Sequence, residues 1–219
     1  MNLTTPGQLA PALACAVAVA LLLRAEARGS QRGIWIWKPL AAASFLVAAW
    51  TWGAPSSEYG RRILVGLALC ACGDVLLIPR SETTFRLGLV AFLCGHLAYA
   101  AAFLTLPVQL EVLVPAAVVI AFALWRVWRW LAPHLPARER VPVSAYFAAI
   151  GAMGALSLGA VAVGAPVAAG LGALGFMASD LSVARERFVA KGFRNAAWGL
   201  PLYFASQLLL AWSSAGTTA

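Results

Sequence analysis

Residues 108–131 read VQLEVLVPAAVVIAFALWRVWRWL, an apolar run that ends in a cluster of tryptophan and arginine. A helix that crosses the hydrocarbon core of a bilayer needs about 20 mostly apolar residues. Tryptophan and arginine at the end of such a run are typical of the membrane interface, where the indole and guanidinium groups reach water. This stretch therefore predicts a membrane-spanning helix whose carboxyl-terminal end lies at an interface.

Seven further runs of the same kind flank this one. Divided at charged residues and at Pro or Gly, the eight predicted spans cover residues 8–23, 36–53, 62–79, 85–105, 108–131, 141–162, 166–184 and 196–213. Of the 219 residues, 62% are hydrophobic and only 11% are charged, whereas a soluble domain carries roughly 25% charged residues. The sequence predicts an all-α integral membrane protein, a single transmembrane domain over residues 1–219 that folds as a bundle of about eight helices.

The basic residues are distributed unequally between the two sides of such a bundle. The loops after the first, third, fifth and seventh spans, with their flanks, hold 14 of the 16 basic residues: Arg24, Arg28, Arg32, Lys38, Arg80, Arg86, Arg126, Arg129, Arg138, Arg140, Arg185, Arg187, Lys191 and Arg194. The other side has only Arg61 and Arg62. Because positively charged loops stay in the cytoplasm, this pattern places both termini on the non-cytoplasmic side. We expect a bacterial inner membrane location and no nucleic-acid partner.

The first apolar run has a second interpretation. Leu9–Leu23 followed by Ala25-Glu26-Ala27 resembles a secretory signal with a small-residue cleavage site. However, the positive charges follow the apolar run instead of preceding it. That order favours a spanning helix whose amino terminus lies outside the cytoplasm.

Three ionisable residues lie well inside predicted spans: Asp74, His96 and Asp180. Such groups are costly in a bilayer and usually have a function. Asp74 and Asp180 each lie about five residues from the cytoplasmic end of a span, so their carboxyl groups should share one depth. His96 lies near the midplane, and a site open to the cytoplasmic leaflet could gather all three. Lys38, at the start of the second span, is a shallower case.

Small residues beside each acid indicate that both acids face the inside of the bundle, because small residues let helices approach closely in lipid. They are Gly66, Cys70 and Gly73 beside Asp74, and Gly172, Gly175 and Ser179 beside Asp180. Four further polar residues could line a pocket or form interhelical hydrogen bonds: Tyr99, Tyr146, Tyr203 and Gln207.

A faint internal repeat relates the two acids. Asp74 leads through a basic loop to Phe85, and Asp180 leads in the same way to Phe188, four helices later. Parallel repeats occur in membrane proteins. The two acids could therefore occupy equivalent positions in a duplicated four-helix unit.

A pair of carboxyl groups with a histidine suits acid/base hydrolysis. In glycosidases, one carboxyl group acts as the general acid and the other as the base or nucleophile. The sequence has no G-x-S-x-G elbow and no H-E-x-x-H helix. With only His96 and His134, it cannot assemble a multi-histidine metal site. Two carboxylates could hold Mg²⁺, but we expect neither a metal nor another cofactor.

Five stretches between residue 38 and about residue 210 resemble the YhhN-like lysoplasmalogenase family. They are Lys38-Pro-Leu, Gly73-Asp-Val-Leu-Leu-Ile, Phe92-Leu-Cys-Gly-His-Leu-Ala-Tyr99, Phe176-Met-Ala-Ser-Asp180 and Pro201-Leu-Tyr-Phe-Ala-Ser-Gln-Leu208. Ser206 departs from the Ala expected there. The resemblance implies a multi-helix membrane enzyme that hydrolyses the vinyl-ether bond of lysoplasmalogens. The products would be a fatty aldehyde and glycerophosphoethanolamine or glycerophosphocholine.

In this chemistry a protonated Asp would deliver a proton to the vinyl-ether carbon, and an ionised Asp would stabilise the oxocarbenium ion and activate water. We expect Asp74 and Asp180 to be that pair, with their roles unassigned, and His96 to orient or relay. Lys38 would meet the lipid phosphate. The other expected substrate-binding residues are Tyr99, Tyr146, Tyr203 and Gln207. A lysophospholipid substrate and membrane lipid are the expected partners, and the sequence gives no signal for an oligomeric state.

Alternatives from other classes stay open at this point. Buried acids and a histidine also build proton relays, so a proton-coupled small-molecule transporter is the main alternative. Helices broken in mid-span by Gly or Pro would favour it, but the central parts of the motif helices contain no proline. A buried Asp can also tie neighbouring helices together in a purely structural membrane protein.

Overall fold

A computed structural model describes residues 6–79 and 81–215, with the side chains of residues 9–79 and 81–215. Arg80, one of the predicted cytoplasmic basic residues, lies outside the described residues. These residues form eight α-helices and no strand: α1 Pro6–Ala27, α2 Gln31–Thr51, α3 Glu58–Leu76, α4 Glu82–Phe103, α5 Leu110–Leu131, α6 Ala137–Val161, α7 Val167–Ala184 and α8 Phe193–Ser213. Short 3₁₀ turns cover Ala54–Ser56 and Ala132–His134, and a π-helical turn covers Arg185–Val189.

The chain is a multi-pass helical membrane protein, as the sequence predicts. Within the described residues, six helices are long and apolar enough to cross a bilayer, namely α1, α2, α4, α5, α6 and α7. α3 and α8 do not meet that standard because they carry more polar residues. Several of those polar side chains are buried inside the bundle, including Asp74 on α3 and Asn195 and Gln207 on α8.

Six of the eight helices begin earlier than predicted, and in three of them, α2, α3 and α4, a serine caps the first turn. α2, α3 and α4 begin at residues 31, 58 and 82, whereas the apolar runs begin at residues 36, 62 and 85. The serine hydroxyl accepts a hydrogen bond from a backbone N–H in the first turn: Ser30 from Gly33, Ser57 from Gly60 and Ser81 from Thr84. N-capping extends a helix into a polar first turn that hydrophobicity alone does not reveal.

Consecutive helices pair as hairpins, and α8 connects them. α1 packs on α2, α3 on α4, α5 on α6 and α7 on α8, while α8 also contacts α1, α2 and α3. α4 contacts α6. α5 lies at the periphery, since within this fully described helix only Ile120 and Leu131 are buried. Short links between antiparallel neighbours place the starts of α2, α4, α6 and α8 at the same end of the bundle as the ends of α3, α5 and α7.

Small residues let α3 approach α4, and α7 approach α8, as predicted. Gly73 faces the ring of Phe92, and a Cβ atom on Gly73 would lie 2.7 Å from Phe92 Cε2. A Cβ atom on Gly172 would lie 2.9 Å from Leu210 Cγ on α8. Both distances are shorter than normal carbon contacts. The glycine beside Asp74 is therefore required for the packing that surrounds this acid.

Replacing Gly73 with alanine should destabilise the protein, because the new methyl group would overlap the ring of Phe92. We expect the free energy of unfolding to fall by about 1–3 kcal/mol, measured by thermal unfolding in detergent. Gly170→Ala on α7 is the matched control, since its Cβ would meet only the ends of flexible side chains, Val161 Cγ2 at 3.3 Å being the nearest. Equal stability of the two variants would contradict the tight contact at Gly73.

Candidate active site

A mostly apolar cavity opens at one end of the bundle. Its empty volume, counting the open mouth, is about 940 Å³. It is lined by the first half or the middle of α2, α4, α6 and α8, and by the second half of α3, α5 and α7. These segments lie at the end of the bundle where most basic residues occur. The ionisable residues and tyrosines in its wall are Lys38, Asp74, Tyr146, Asp180 and Tyr203.

Asp74, near the end of α3, is surrounded by hydrogen-bond donors. Its exposed fraction is only 2%. The ammonium group of Lys38 on α2 lies 3.3 Å from Asp74 Oδ1. The hydroxyl group of Tyr203 on α8 donates to Asp74 Oδ2 at 2.7 Å. Both neighbours favour an ionised carboxylate, because hydrogen bonds from a cation or a hydroxyl group to a carboxylate are among the strongest in proteins.

Asp180, near the end of α7, faces a histidine instead of a lysine. Tyr146 on α6 donates to Asp180 Oδ2 at 3.0 Å, and His96 Nε2 lies 3.2 Å from the same oxygen. His96 has no exposed surface, and its Nδ1 lies 2.7 Å from the carbonyl oxygen of Phe92. A carbonyl oxygen only accepts, so Nδ1 carries a hydrogen.

The contact between His96 and Asp180 needs a proton. With a hydrogen on Nδ1, a neutral imidazole presents a lone pair at Nε2. Nε2 forms no hydrogen bond of regular geometry within the described residues, although Asp180 Oδ2 is near. Two lone pairs repel each other, whereas a proton on either atom makes the contact attractive. The pair is therefore suited to hold one transferable proton.

Phe176 lies between these two clusters. Its ring centroid is 4.1 Å from that of His96 and 5.4 Å from that of Tyr203. Phe92 extends this aromatic group, with its centroid 5.9 Å from Tyr203 and 6.2 Å from Phe176. Sequence reasoning gave Phe176 no role, although its position four residues before Asp180 places both on one helix face.

The structure brings six of the eight predicted site residues together in two clusters: Lys38, Asp74 and Tyr203, and His96, Tyr146 and Asp180. Tyr99 and Gln207 do not line the cavity. They form a separate buried pair, in which the Tyr99 hydroxyl group donates to Gln207 Oε1 at 2.6 Å. Gln207 Nε2 has no hydrogen-bond partner within the described part of the chain.

Two polar networks tie the helix ends around the cavity. Arg86 on α4 forms ion pairs with Glu139 on α6 at 2.9 Å and with Glu82 at 3.1 Å. After α7, the buried amide of Asn195 donates to Glu186 Oε2 at 2.6 Å. Sequence reasoning treated these charges only as loop residues. The spacing of Glu82 and Arg86, four residues apart on one helix, was the available signal.

A model of the YhhN family matches residues 33–214, a range that contains both clusters and every motif quoted above. The chain belongs to the YhhN family. It is 33% identical over 159 residues to Lysoplasmalogenase TMEM86A of Bos taurus, covering 70% of this chain and 65% of that protein. It is 33% identical over 180 residues to Lysoplasmalogenase of Mycobacterium bovis, covering 78% of this chain and 66% of that protein.

The aligned part of this chain thus covers just under two thirds of the length of each of these curated relatives. No solved structure matches it.

Replacing Lys38 with methionine should strongly destabilise this YhhN-family protein, because it leaves the buried carboxylate of Asp74 without a cation. We expect a loss of roughly 3–5 kcal/mol, measured by thermal unfolding in detergent. The double variant Lys38→Met/Asp74→Asn should regain most of that stability, since it removes both charges. Losses that simply add in the double variant would show that the two side chains do not form an ion pair.

Proposed function

We propose that the protein is a membrane hydrolase that cleaves the vinyl-ether bond of lysoplasmalogen-type lipids. The products are a fatty aldehyde and glycerophosphoethanolamine or glycerophosphocholine. The observation that carries this proposal is the presence of two carboxyl groups on one apolar cavity, Asp74 buried and Asp180 partly buried, each with its own hydrogen-bond partners. The names of the relatives in both cattle and mycobacteria agree with it.

The proposal includes a location and an orientation. The cavity opens at the end of the bundle that carries most basic residues, and positively charged loops face the cytoplasm. We therefore place the mouth at the cytoplasmic leaflet of a bacterial inner membrane, with both termini on the other side. In this arrangement α3 and α8 also span the bilayer, and their polar residues point into the bundle.

The reaction begins at the His96–Asp180 pair. The proton held between His96 Nε2 and Asp180 Oδ2 is transferred to the β-carbon of the vinyl ether, which becomes an oxocarbenium ion. Tyr146 keeps Asp180 Oδ2 oriented through its hydrogen bond of 3.0 Å. The hydrogen bond from His96 Nδ1 to the Phe92 carbonyl group fixes the imidazole ring so that Nε2 faces the acid.

Asp74 acts in the second half of the reaction. Its carboxylate, paired with Lys38 and Tyr203, stabilises the cation and accepts a proton from the attacking water. The resulting hemiacetal loses its hydroxyl proton as the glycerol oxygen gains one, which gives aldehyde and alcohol. The proton that Asp74 accepted then passes through solvent to the His96–Asp180 pair and restores the starting state, so each turnover consumes one vinyl ether and one water.

The transporter alternative is less well supported. The relatives in both groups of organisms are named as lysoplasmalogenases. α3, α4 and α7, which carry Asp74, His96 and Asp180, are continuous and contain no proline. Discontinuous helices at mid-membrane are the usual sign of a transport site, and these three helices do not show it.

Aldehyde release from a synthetic lysoplasmalogen by the purified protein in detergent tests the proposal. Asp74→Asn and Asp180→Asn should each lower kcat on the order of a hundredfold or more, because each removes a group that transfers protons. Glu111→Gln, an exposed acid-to-amide change, is the matched control and should keep full activity. EDTA should have no effect. A well-folded wild type that releases no aldehyde would contradict the proposed function.

Hydrolysis in D₂O should leave deuterium on the aldehyde carbon next to the carbonyl group, because the first step adds a solvent-exchangeable proton to the vinyl-ether carbon. Mass spectrometry of the rapidly trapped aldehyde measures this label. Authentic unlabelled aldehyde, exposed to the protein in D₂O and trapped in the same way, corrects for exchange after release. Aldehyde without deuterium above that background would exclude carbon protonation as the first step.

A further inference from the structure

Two phenylalanines and an arginine form the mouth of the cavity. Phe85 on α4 and Phe188 in the π-helical turn both line the cavity, and their rings meet edge to face with centroids 6.1 Å apart. The guanidinium carbon of Arg187 lies 4.4 Å from the centroid of the Phe85 ring. Arg187 is half-buried, and no described carboxylate forms an ion pair with it.

The cations near this mouth differ in what they already contact. Lys38 is paired with Asp74 deep in the cavity wall. Arg86 is paired with Glu82 and Glu139. In contrast, the guanidinium group of Arg187 rests on an aromatic face and keeps its N–H groups available for an anion.

We propose that Arg187 binds the phosphate group of the lysophospholipid, an inference that rests on the proposed function. A guanidinium group can donate two parallel hydrogen bonds to phosphate oxygens, and stacking on an aromatic ring leaves these in-plane donors accessible. Arg187 follows the end of α7, at the end of the bundle that carries most basic residues. Lys38, the residue expected from the sequence to meet the phosphate, instead lies 3.3 Å from Asp74 Oδ1.

The turn that carries Arg187 is held in place from both sides. Asn195, with an exposed fraction of only 2%, donates to Glu186 Oε2 at 2.6 Å and to the carbonyl oxygen of Ala190 at 2.7 Å. Arg185 donates in turn to the side-chain oxygen of Asn195. A fixed turn lowers the entropy lost when Arg187 binds an anion. π-Helical turns are frequent at functional sites for this kind of reason.

Kinetics with two substrates tests this assignment in the full-length protein in detergent. One substrate is a lysoplasmalogen, and the other is a 1-O-alkenylglycerol with the same chain but no phosphate. Arg187→Gln should raise KM for the lysoplasmalogen by about tenfold or more, with kcat within a factor of about two. Its KM for the alkenylglycerol should not change.

Two further variants sharpen the comparison. Arg187→Lys keeps the charge but not the paired donors, so its KM for the lysoplasmalogen should lie between those of wild type and Arg187→Gln. Arg194→Gln removes a nearby exposed arginine in the first turn of α8 and should match wild type with both substrates. An equal rise in KM for both substrates, or no rise with either, would overturn the assignment of Arg187 to the phosphate.

A binding measurement separates this inference from the proposed reaction. A 1-O-alkyl lysophospholipid and a 1-O-alkylglycerol of equal chain length lack the vinyl group and cannot be cleaved. Wild type should bind the phosphate-bearing ligand more tightly, by quenching of tryptophan fluorescence, and Arg187→Gln should lose that preference. If wild type cleaves neither substrate, the proposed reaction fails. The assignment of Arg187 to the phosphate is then tested by binding alone. If Arg187→Gln still binds the phosphate-bearing ligand more tightly than the alkylglycerol, to the same extent as wild type, the assignment is refuted.

Discussion

A charged carboxyl group inside a helical bundle in lipid needs a partner, because an unpaired charge there costs several kcal/mol. Asp74 has two donors, Lys38 from α2 and Tyr203 from α8. One carboxyl group therefore joins α2 and α3, which are consecutive, to α8 at the other end of the sequence. This requirement accounts for the central position of α8, whose buried polar side chains would be unfavourable toward lipid. The close approach of α3 and α4 at Gly73 follows from the same need to enclose the acid.

The two acids are the same residue type at similar positions on their helices, and only their partners distinguish them. The partners of Asp74 are both donors, whereas Asp180 meets a donor, Tyr146, and the lone-pair nitrogen of His96. A cation, Lys38, stands beside Asp74, whereas an imidazole, His96, stands beside Asp180. The proposed division into proton donor and cation stabiliser rests on this contrast. Phe176 keeps the two hydrogen-bond sets apart by filling the space between His96 and Tyr203.

Structural features that depend on local sequence were predicted correctly, whereas features that depend on how the helices are rotated were not. The length of apolar runs gave the order of the helices, and the cost of charge in a bilayer singled out Asp74 and Asp180. The starts of α2, α3 and α4 shifted because serine caps are polar. Tyr99 could have lined the pocket as far as the sequence shows, yet its hydroxyl group contacts Gln207 away from the cavity. Which tyrosine meets which acid depends on how helices distant in sequence are rotated against each other. Phe85 and Phe188, the residues that end the two segments of the faint repeat, meet at the mouth of the cavity.

The position of the cavity, between the aqueous interface and the apolar interior of the bundle, suits both the amphipathic proposed substrate and its two products. A lysophospholipid enters with its phosphate at the aqueous interface and its chain among apolar side chains, so its vinyl ether lies between the two. Water needed for the proposed second step can reach the same mouth from the aqueous side. After cleavage the two products no longer share an anchor: the aldehyde is apolar and can return to the bilayer, whereas the glycerophospho group is soluble in water. A site buried at the bilayer centre would hinder water entry, and one fully exposed would leave the oxocarbenium ion without a low-dielectric environment. The first half or the middle of α2, α4, α6 and α8 and the second half of α3, α5 and α7 meet between these limits.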